Sequence, residues 1–330
     1  MPERVLVTGA AGFIGSHLVE ALVREGYQVR AFVRYVSDGS LGNLRWVAPE
    51  VLSELELVRG DVRDADAVRR ACRGCPYVLH LAACISIPYS AVHPREVVET
   101  NVTGTLNVLS ALLEEESVER VVVTSTSEVF GTAQYVPMDE GHPLRPRSPY
   151  AASKVAADKL AESFFHTYGL PVVILRPFNT YGPRQTPRAV VPTILLQALQ
   201  REEIRLGRLE TTRDLLYVAD TVAAFLACLR APAEGVVGES FNVGTGHEIS
   251  IEKLCRTLCA LLDKPELPVR QEERRMRPEQ GEVYRLCADS RKARQRLGWA
   301  PRYSLEQGLR ETIAWFVAHV SQYRPEDYLI

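Results

Sequence analysis

The sequence predicts an α/β fold: a doubly wound parallel sheet with a smaller α/β unit packed against it. Three observations predict it. Short β-branched runs alternate with helical periods through the first half of the chain. Those runs are apolar without a break, as strands covered on both faces are. The first of them ends in a glycine-rich turn that opens directly into a helical pattern.

"RVLVTG" (4–9) reads as a strand ending in glycine. "FIGSHLVEALVREG" (13–26) places Ile14, Leu18, Ala21 and Leu22 at helical spacing and stops at Gly26. "QVRAFVR" (28–34), "LELVRGD" (55–61), "YVLHLAA" (77–83) and "VERVVVTS" (118–125) continue the strands, with helices around 64–73 and 95–115. Strands alternating with helices imply right-handed crossovers and a parallel sheet with both faces covered. Past about residue 180 the rhythm loosens in "YGPRQTPRAVVP" (181–192) and the charged "EERRMRPEQGEVYRL" (272–286). Residues 1–178 are expected to form a dinucleotide-binding unit. Residues 179–330 are expected to supply mainly a substrate-binding unit whose segments interleave with the first. No low-complexity linker or internal repeat separates them.

The chain has 330 residues, 46% of them hydrophobic and 24% charged, with a net charge of −2. That balance gives no nucleic-acid or membrane-surface signature. No apolar run reaches the roughly 20 residues that span a bilayer. "MPERVLVTGAAGFIG" lacks a signal-peptide layout, so a cytoplasmic setting is expected. The seven cysteines are odd in number and read as free thiols. "CRGC" (72–75) lacks the second ligand pair that a zinc site needs, so no metal is expected.

"GAAGFIG" places Gly9, Gly12 and Gly15 between the first strand and the first helix. Glycine there permits positive φ and close backbone approach, and the helix start offers free N–H groups to a pyrophosphate. In this βαβ setting the turn predicts an NAD(P) site. An NAD site usually has an acid at the end of the second strand, but here Arg34 follows and no acid precedes Asp38. Arg34 would pair with a 2′-phosphate, which favours NADP. An exposed arginine near the adenine would leave NAD acceptable. Asp61 would accept from the adenine amine, or it caps the next helix together with Asp64.

"RSPYAASK" offers Ser148 as N-cap and Pro149 at the first helical position. Tyr150 and Lys154 then share one helix face. A phenol titrating near pH 10 is a poor base at neutrality, and a nearby ammonium lowers that value. Tyr150 would so take a proton from an alcohol as hydride leaves the same carbon. The alternative is a solvated tyrosine and lysine.

"GAAGFIG", "HLAA" (80–83), "NVTGTLNVL" (101–109), "YAASK" (150–154), "RPFNTYGPR" (176–184), "RDLLYVAD" (213–220) and "LGWAP" (297–301) follow in order. Together they resemble the extended short-chain dehydrogenase/reductase family, the sugar-nucleotide epimerases and dehydratases. The resemblance runs from residue 4 to about 316. It implies a Rossmann domain, a smaller C-terminal substrate domain and a homodimer joined through a four-helix bundle. It implies cofactor contacts from Gly9, Gly12, Phe13, Ile14, Gly15, Arg34, Asp61, Val62, Leu81, Ala82, Ala83, Asn101, Tyr150 and Lys154.

"TSTSEVFG" (124–131) ends a buried strand with Thr126, Ser127 and Glu128. Family epimerases usually carry a small or apolar residue where Glu128 stands. A 4,6-dehydratase needs a base for C5 and an acid for the C6 hydroxyl, and Glu128 suits both. Thr126 would hydrogen-bond the C4 oxygen. Thr126-Ser127-Glu128 resembles the signature of GDP-mannose 4,6-dehydratases and departs from dTDP-glucose dehydratases, which have Asp in place of Ser127. The longer stretch resembles dehydratases of UDP-GlcNAc in legionaminic acid pathways. UDP-glucuronate decarboxylases carry a similar serine-glutamate pair and need a cation, which Arg274, Arg275 or Arg277 would supply. A 4-epimerase and a dinucleotide-binding sensor or scaffold are the remaining readings.

The substrate's phosphates need cations, and Arg213 and Arg277 are the leading candidates because guanidinium grips phosphate bidentately. Arg184 and Arg188 follow. Asn179 matches a family asparagine that contacts the diphosphate, or is a turn residue before Tyr181-Gly182-Pro183. Ser86 would line the sugar pocket or is a buried hydroxyl. Val190 and Glu282 complete the expected substrate contacts.

Overall fold

The computed structural model describes residues 3–323. The strands are β1 (Arg4–Thr8), β2 (Gln28–Val33), β3 (Glu56–Arg59), β4 (Tyr77–His80), β5 (Arg120–Thr124), β6 (Val172–Pro177), β7 (Asn179–Tyr181), β8 (Ile204–Leu206), β9 (Thr212–Tyr217), β10 (Ser240–Val243), β11 (Glu248–Ser250) and β12 (Val269–Gln271). Seven of them form one parallel sheet in the order β10-β6-β5-β4-β1-β2-β3. The chain reverses direction across the sheet between β1 and β4, where Val7 lies beside both Ala31 and Leu79. Such a switch point, at the carboxyl ends of the strands, is the usual ligand position in sheets of this kind.

The helices are α1 (Phe13–Arg24), α2 (Pro49–Glu54), α3 (Ala65–Cys72), α4 (Ile87–Val92), α5 (Pro94–Val98), α6 (Gly104–Leu112), α7 (Pro149–Tyr168), α8 (Val190–Gln200), α9 (Val218–Arg230), α10 (Ile251–Leu261), α11 (Arg291–Leu297) and α12 (Leu305–His319). Helices α1 and α9 cover one face of the sheet through Val5, Val7, Leu18, Leu22 and Phe225. Helices α3, α6 and α7 cover the other through Leu6, Val121, Val123, Leu109 and Ala161. Every side chain of Val121–Val123 is sealed from water, which is why that strand reads as continuously apolar.

The helix expected over 95–115 is divided. A π-helical turn, Glu99–Thr103, separates α5 from α6. Asn101 sits in that turn, accepting from the Cys84 amide at 2.7 Å and donating to the Cys84 carbonyl and to Ser153 Oγ on α7. The widened turn lets one amide side chain brace the segment after β4 against α7.

The second unit holds a three-stranded sheet, β11-β9-β7, and a β12-β8 pair, packed with α8, α10 and α12. Helix α9 and strand β10 return to the seven-stranded sheet, so residues 218–243 lie with the first unit despite their place in the sequence. Val129, Phe130, Met138, Phe178, Val283, Leu286 and Ala288 form a core joining the turn after β5 to the segment 283–288. All seven cysteines are free, as expected, and Cys255 and Cys259 lie buried on α10. No helix among the described residues is long and apolar enough to cross a membrane.

Arg184 departs from the expected role. Its guanidinium donates to Ser16 O, Glu20 Oε2 and Trp46 O, and pairs with Glu20 at 2.9 Å with both side chains only 10% exposed. These contacts make it a brace tying the loop after β7 to α1. Arg184→Ala should lower unfolding free energy by about 3 kcal/mol, because Glu20 is left buried without its partner. Urea denaturation would show this. Unchanged stability with weakened nucleotide-sugar affinity would instead return Arg184 to the substrate.

Candidate active site

The glycine turn is built for close approach. Gly9 adopts φ +71°. A Cβ there would fall 2.8 Å from Ala82 N, and one at Gly15 only 2.2 Å from Gly9 O. The start of β1's turn thus packs directly on the backbone after β4, where Leu81 and Ala82 donate to Thr8 Oγ1. Helix α1 begins at Phe13 with Gly12 as N-cap and no side-chain cap. Its first N–H groups remain available to an anion, and Gly9, Gly12, Phe13, Ile14 and Gly15 fit a dinucleotide pyrophosphate. Ala83 follows Leu81 and Ala82 after β4, half-buried.

Arg34 is exposed just past β2. Asp61 is half-buried and gripped by Arg63, which donates from its backbone and from its guanidinium at 2.7 Å. That contact holds its carboxyl below the usual range. Asp64, not Asp61, caps α3. Val62 is buried against the start of α6. Both polar atoms of the Asn101 side chain have protein partners, so its side chain braces rather than binds.

The catalytic candidates converge. Ser148 caps α7 and Pro149 opens it, as expected. Tyr150 and Lys154 follow on its buried face, 7% and 4% exposed. Thr126 caps the short 3-10 turn Ser127–Phe130, its Oγ1 accepting from Glu128 N at 3.2 Å. The Thr126 side chain acts on the Tyr150 phenol in the direction that favours its ionised form. Glu128 is 8% exposed and Ser127 2%. One expectation is corrected here. Burial raises the Tyr150 phenol above the usual tyrosine range, the Thr126 contact lowers it only in part, and Glu128 and Asp158 raise it further. Lys154 does not offset this by itself. Burial also lowers the Lys154 ammonium to about 8, with Asp158 acting against that fall.

Two of the expected arginines reach this site. Arg277 Nη1 lies 3.7 Å from Glu128 Oε2. Arg213 is buried on β9, lies in the field of Glu128 and Arg277, and pairs with Glu282 at 3.8 Å. Glu282 therefore orients an arginine. Asn179 Oδ1 is buried without a hydrogen-bond partner in the protein. Arg188 is exposed in the loop before α8, and half-buried Val190 opens that helix. Ser86 caps α4, its Oγ accepting from Tyr89 N.

Sequence reading missed His80, Ser125, Asp158 and Arg176. His80 bonds Thr8 and Thr105 at 2.8 and 3.0 Å. Burial, with Lys154 nearby, lowers it to about 3. The folded state thus resists a proton that the unfolded chain accepts near its ordinary value of about 6.5. The stability His80 contributes is complete above that value and is lost as pH falls from about 6.5 towards 3. His17, lowered to about 4 by burial, acts in the same direction. Each should remove about 1.4 kcal/mol per pH unit inside its window. Urea unfolding at pH 7, 6 and 5 should show a shallower decline for His80→Gln than for the wild type. Equal slopes would refute the neutral buried imidazole.

Comparisons with known proteins agree with this geometry. The family model for GDP-mannose 4,6 dehydratase matches residues 6–312. The dTDP-glucose 4,6-dehydratase of Xanthomonas campestris is 34% identical, covering 95% of this chain and 93% of that protein. The UDP-glucose 4-epimerase of Mycolicibacterium smegmatis is 37% identical, covering 95% and 98%. The crystal structure of a dTDP-glucose 4,6-dehydratase from Streptomyces venezuelae with NAD bound superposes with a TM-score of 0.87 at 33% identity, covering 98% and 99%. A glycine cradle, a Tyr-Lys helix and a polar strand end on this sheet, matched over nearly the whole chain, make it an enzyme of the nucleotide-sugar epimerase/dehydratase branch of the extended short-chain dehydrogenase/reductase family.

Proposed function

We propose that the protein is an NAD(P)-dependent nucleotide-sugar 4,6-dehydratase acting on UDP-GlcNAc. Glu128 carries the reading: a buried carboxylate on the short turn that Thr126 caps, the same Thr126 whose side chain acts on the Tyr150 phenol. C4 epimerisation has no need of a carboxylate there. Dehydration needs a base at C5 and an acid at C6.

A bound NAD(P) would take hydride from C4 of the sugar, return it at C6, and add positive charge beside the phenol. Tyr150 receives the C4 hydroxyl proton while Thr126 holds the oxygen, and Lys154 steadies the phenolate. With C4 a ketone, the C5 hydrogen is acidic and Glu128 removes it. Glu128 then gives that proton to the departing C6 hydroxyl, which leaves as water. Serine at 127 provides no second acid, so one carboxyl serves both steps. After reduction at C6 a proton returns to C5. The substrate loses one water and the reaction is redox-neutral.

Residues 1–178, with the returning segment 218–243, form the cofactor unit, and the rest of 179–330 holds the substrate. Arg213 and Arg277 take the diphosphate, with Asn179 beside it. Arg188 stands ready at the entrance. Arg34, exposed where an acid is absent, supports NADP, while the NAD in the Streptomyces neighbour supports NAD. The dinucleotide released on denaturation would identify it. Exposed Val92, Val98, Leu106 and Leu113 on α4–α6 support a homodimer through that helical layer. Free thiols fit a reducing, cytoplasmic setting.

A second reading, decarboxylation of UDP-glucuronate, is favoured by Arg277, whose cation beside Glu128 would hold a C5 carboxylate. Incubation with UDP-GlcNAc, GDP-mannose, UDP-glucuronate and UDP-glucose separates the two by product mass. A UDP-GlcNAc product lighter by one water is expected. Loss of carbon dioxide from UDP-glucuronate would establish the second reading. An unchanged mass with a new stereoisomer would mean an epimerase. Glu128→Gln and Tyr150→Phe should each lower turnover by about 10²–10⁴ while the dinucleotide stays bound. Wild-type dehydration by Glu128→Gln would refute the assigned base.

A further inference from the structure

The third member of the stripe that carries Tyr150 and Lys154 is an acid. Asp158 lies one turn beyond Lys154 on α7 and is wholly buried. A position facing the sheet would ordinarily be apolar. Asp158 Oδ2 accepts from Ser125 Oγ at 2.9 Å and from Arg176 Nε and Nη2 at 3.1 and 3.0 Å. Asp158 Oδ1 has no hydrogen-bond partner and no contact with water. An unpaired buried carboxylate oxygen is costly. Ser125 and Arg176 satisfy Oδ2 alone.

Asp158 lies among other buried charges. Lys154 and Arg176 are buried cations, 4% and 3% exposed. Asp158 on its own helix and His80 from β4 interact electrostatically with Lys154; Arg176 from β6 acts on Asp158, and Glu128 from the turn after β5 and Cys84 from the segment after β4 act on Tyr150. His80 is neutral. Asp158 is the anion whose field acts on Lys154. Its mount also reaches the reacting side. Ser125 directly precedes Thr126. Arg176 lies 5.5 Å over the ring of Phe130, which ends the turn bearing Glu128.

We propose that Asp158 is a positioning residue for the reaction: it is the counter-charge that keeps Lys154 an ammonium beneath Tyr150, and Ser125 and Arg176 hold it in place. Asp158 itself touches no substrate atom. It acts through Lys154, and its effect on turnover rests on the reading of Tyr150 and Lys154 given above.

The test follows Lys154 directly and needs no substrate. The chain has five lysines, so the ε-carbons of 13C-lysine-labelled protein give few signals, and Lys154→Met assigns the relevant one. Lys154 is near 8 in the free chain, and the wild-type midpoint of the protein as purified with its dinucleotide is the reference. In Asp158→Asn, which keeps shape and removes charge, the midpoint should fall by about one pH unit or more. Should that variant fail to fold, Asp158→Leu with Arg176→Met replaces the ion pair by apolar side chains, a change that buried pairs often tolerate. Its midpoint should fall as well. A folded variant of either kind whose Lys154 midpoint stays within about 0.3 units of the wild type would make Asp158 a structural ion pair only. The alkaline limb of turnover, lost as Lys154 deprotonates, should move down with the midpoint. A shifted midpoint with an unshifted limb would fault the role given to Lys154 in catalysis and leave the counter-charge standing.

Discussion

A lysine ammonium enclosed at the carboxyl edge of a parallel sheet is the constraint around which the rest of this molecule is arranged. An ion taken out of water must find compensating charge or lose its proton. Lys154 is 4% exposed, and the surrounding chain supplies that compensation from several distant segments. Asp158 comes from the next turn of α7, held by Ser125 from the end of β5 and Arg176 from β6. The neighbouring imidazole of His80 is kept uncharged between two threonines, so that it adds no second cation. The same crowding leaves Tyr150 protonated in the free protein, where Thr126 is its nearest help.

The sheet makes this arrangement possible. Parallel strands buried on both faces bring their carboxyl ends to one edge, and the change of direction between β1 and β4 places the switch point there. Gly9 and Gly15 let the first turn lie against the backbone after β4 with no room for a side chain. The second unit then closes over the edge. Its segment 277–288 brings Arg277 and Glu282 to Glu128 and Arg213, and the core around Phe130 and Val283 holds that segment in register. Positive and negative side chains alternate across the gap, so a diphosphate that engages the arginines would change the surroundings of Glu128.

Much of this is legible in the amino-acid sequence. The glycine turn, the Tyr-Lys spacing and the polar end of β5 are local patterns, and local patterns survive in a linear sequence. What the sequence hides is pairing over distance. Arg184 sits in a glycine-proline-arginine stretch that reads as a phosphate loop, yet its partner is Glu20, 164 residues away. Asp158 looks like an ordinary polar helix position until Arg176 and Ser125 arrive beside it. Asp61 and Asp64 read as interchangeable caps, and only backbone geometry assigns the role to Asp64. The partner of Asn101 in the π-helical turn, the Cys84 backbone, is 17 residues upstream and equally hidden.

The path of one hydrogen tests the central claim most directly. UDP-GlcNAc carrying deuterium at C4 would be converted by the purified protein and its product read by NMR. Dehydration through Tyr150 and Glu128 predicts the deuterium at C6 of a 4-keto-6-deoxy product. Deuterium found again at C4, in a sugar of unchanged mass, would contradict it: the hydride would have returned to the carbon it left, and Glu128 would have had no elimination to perform.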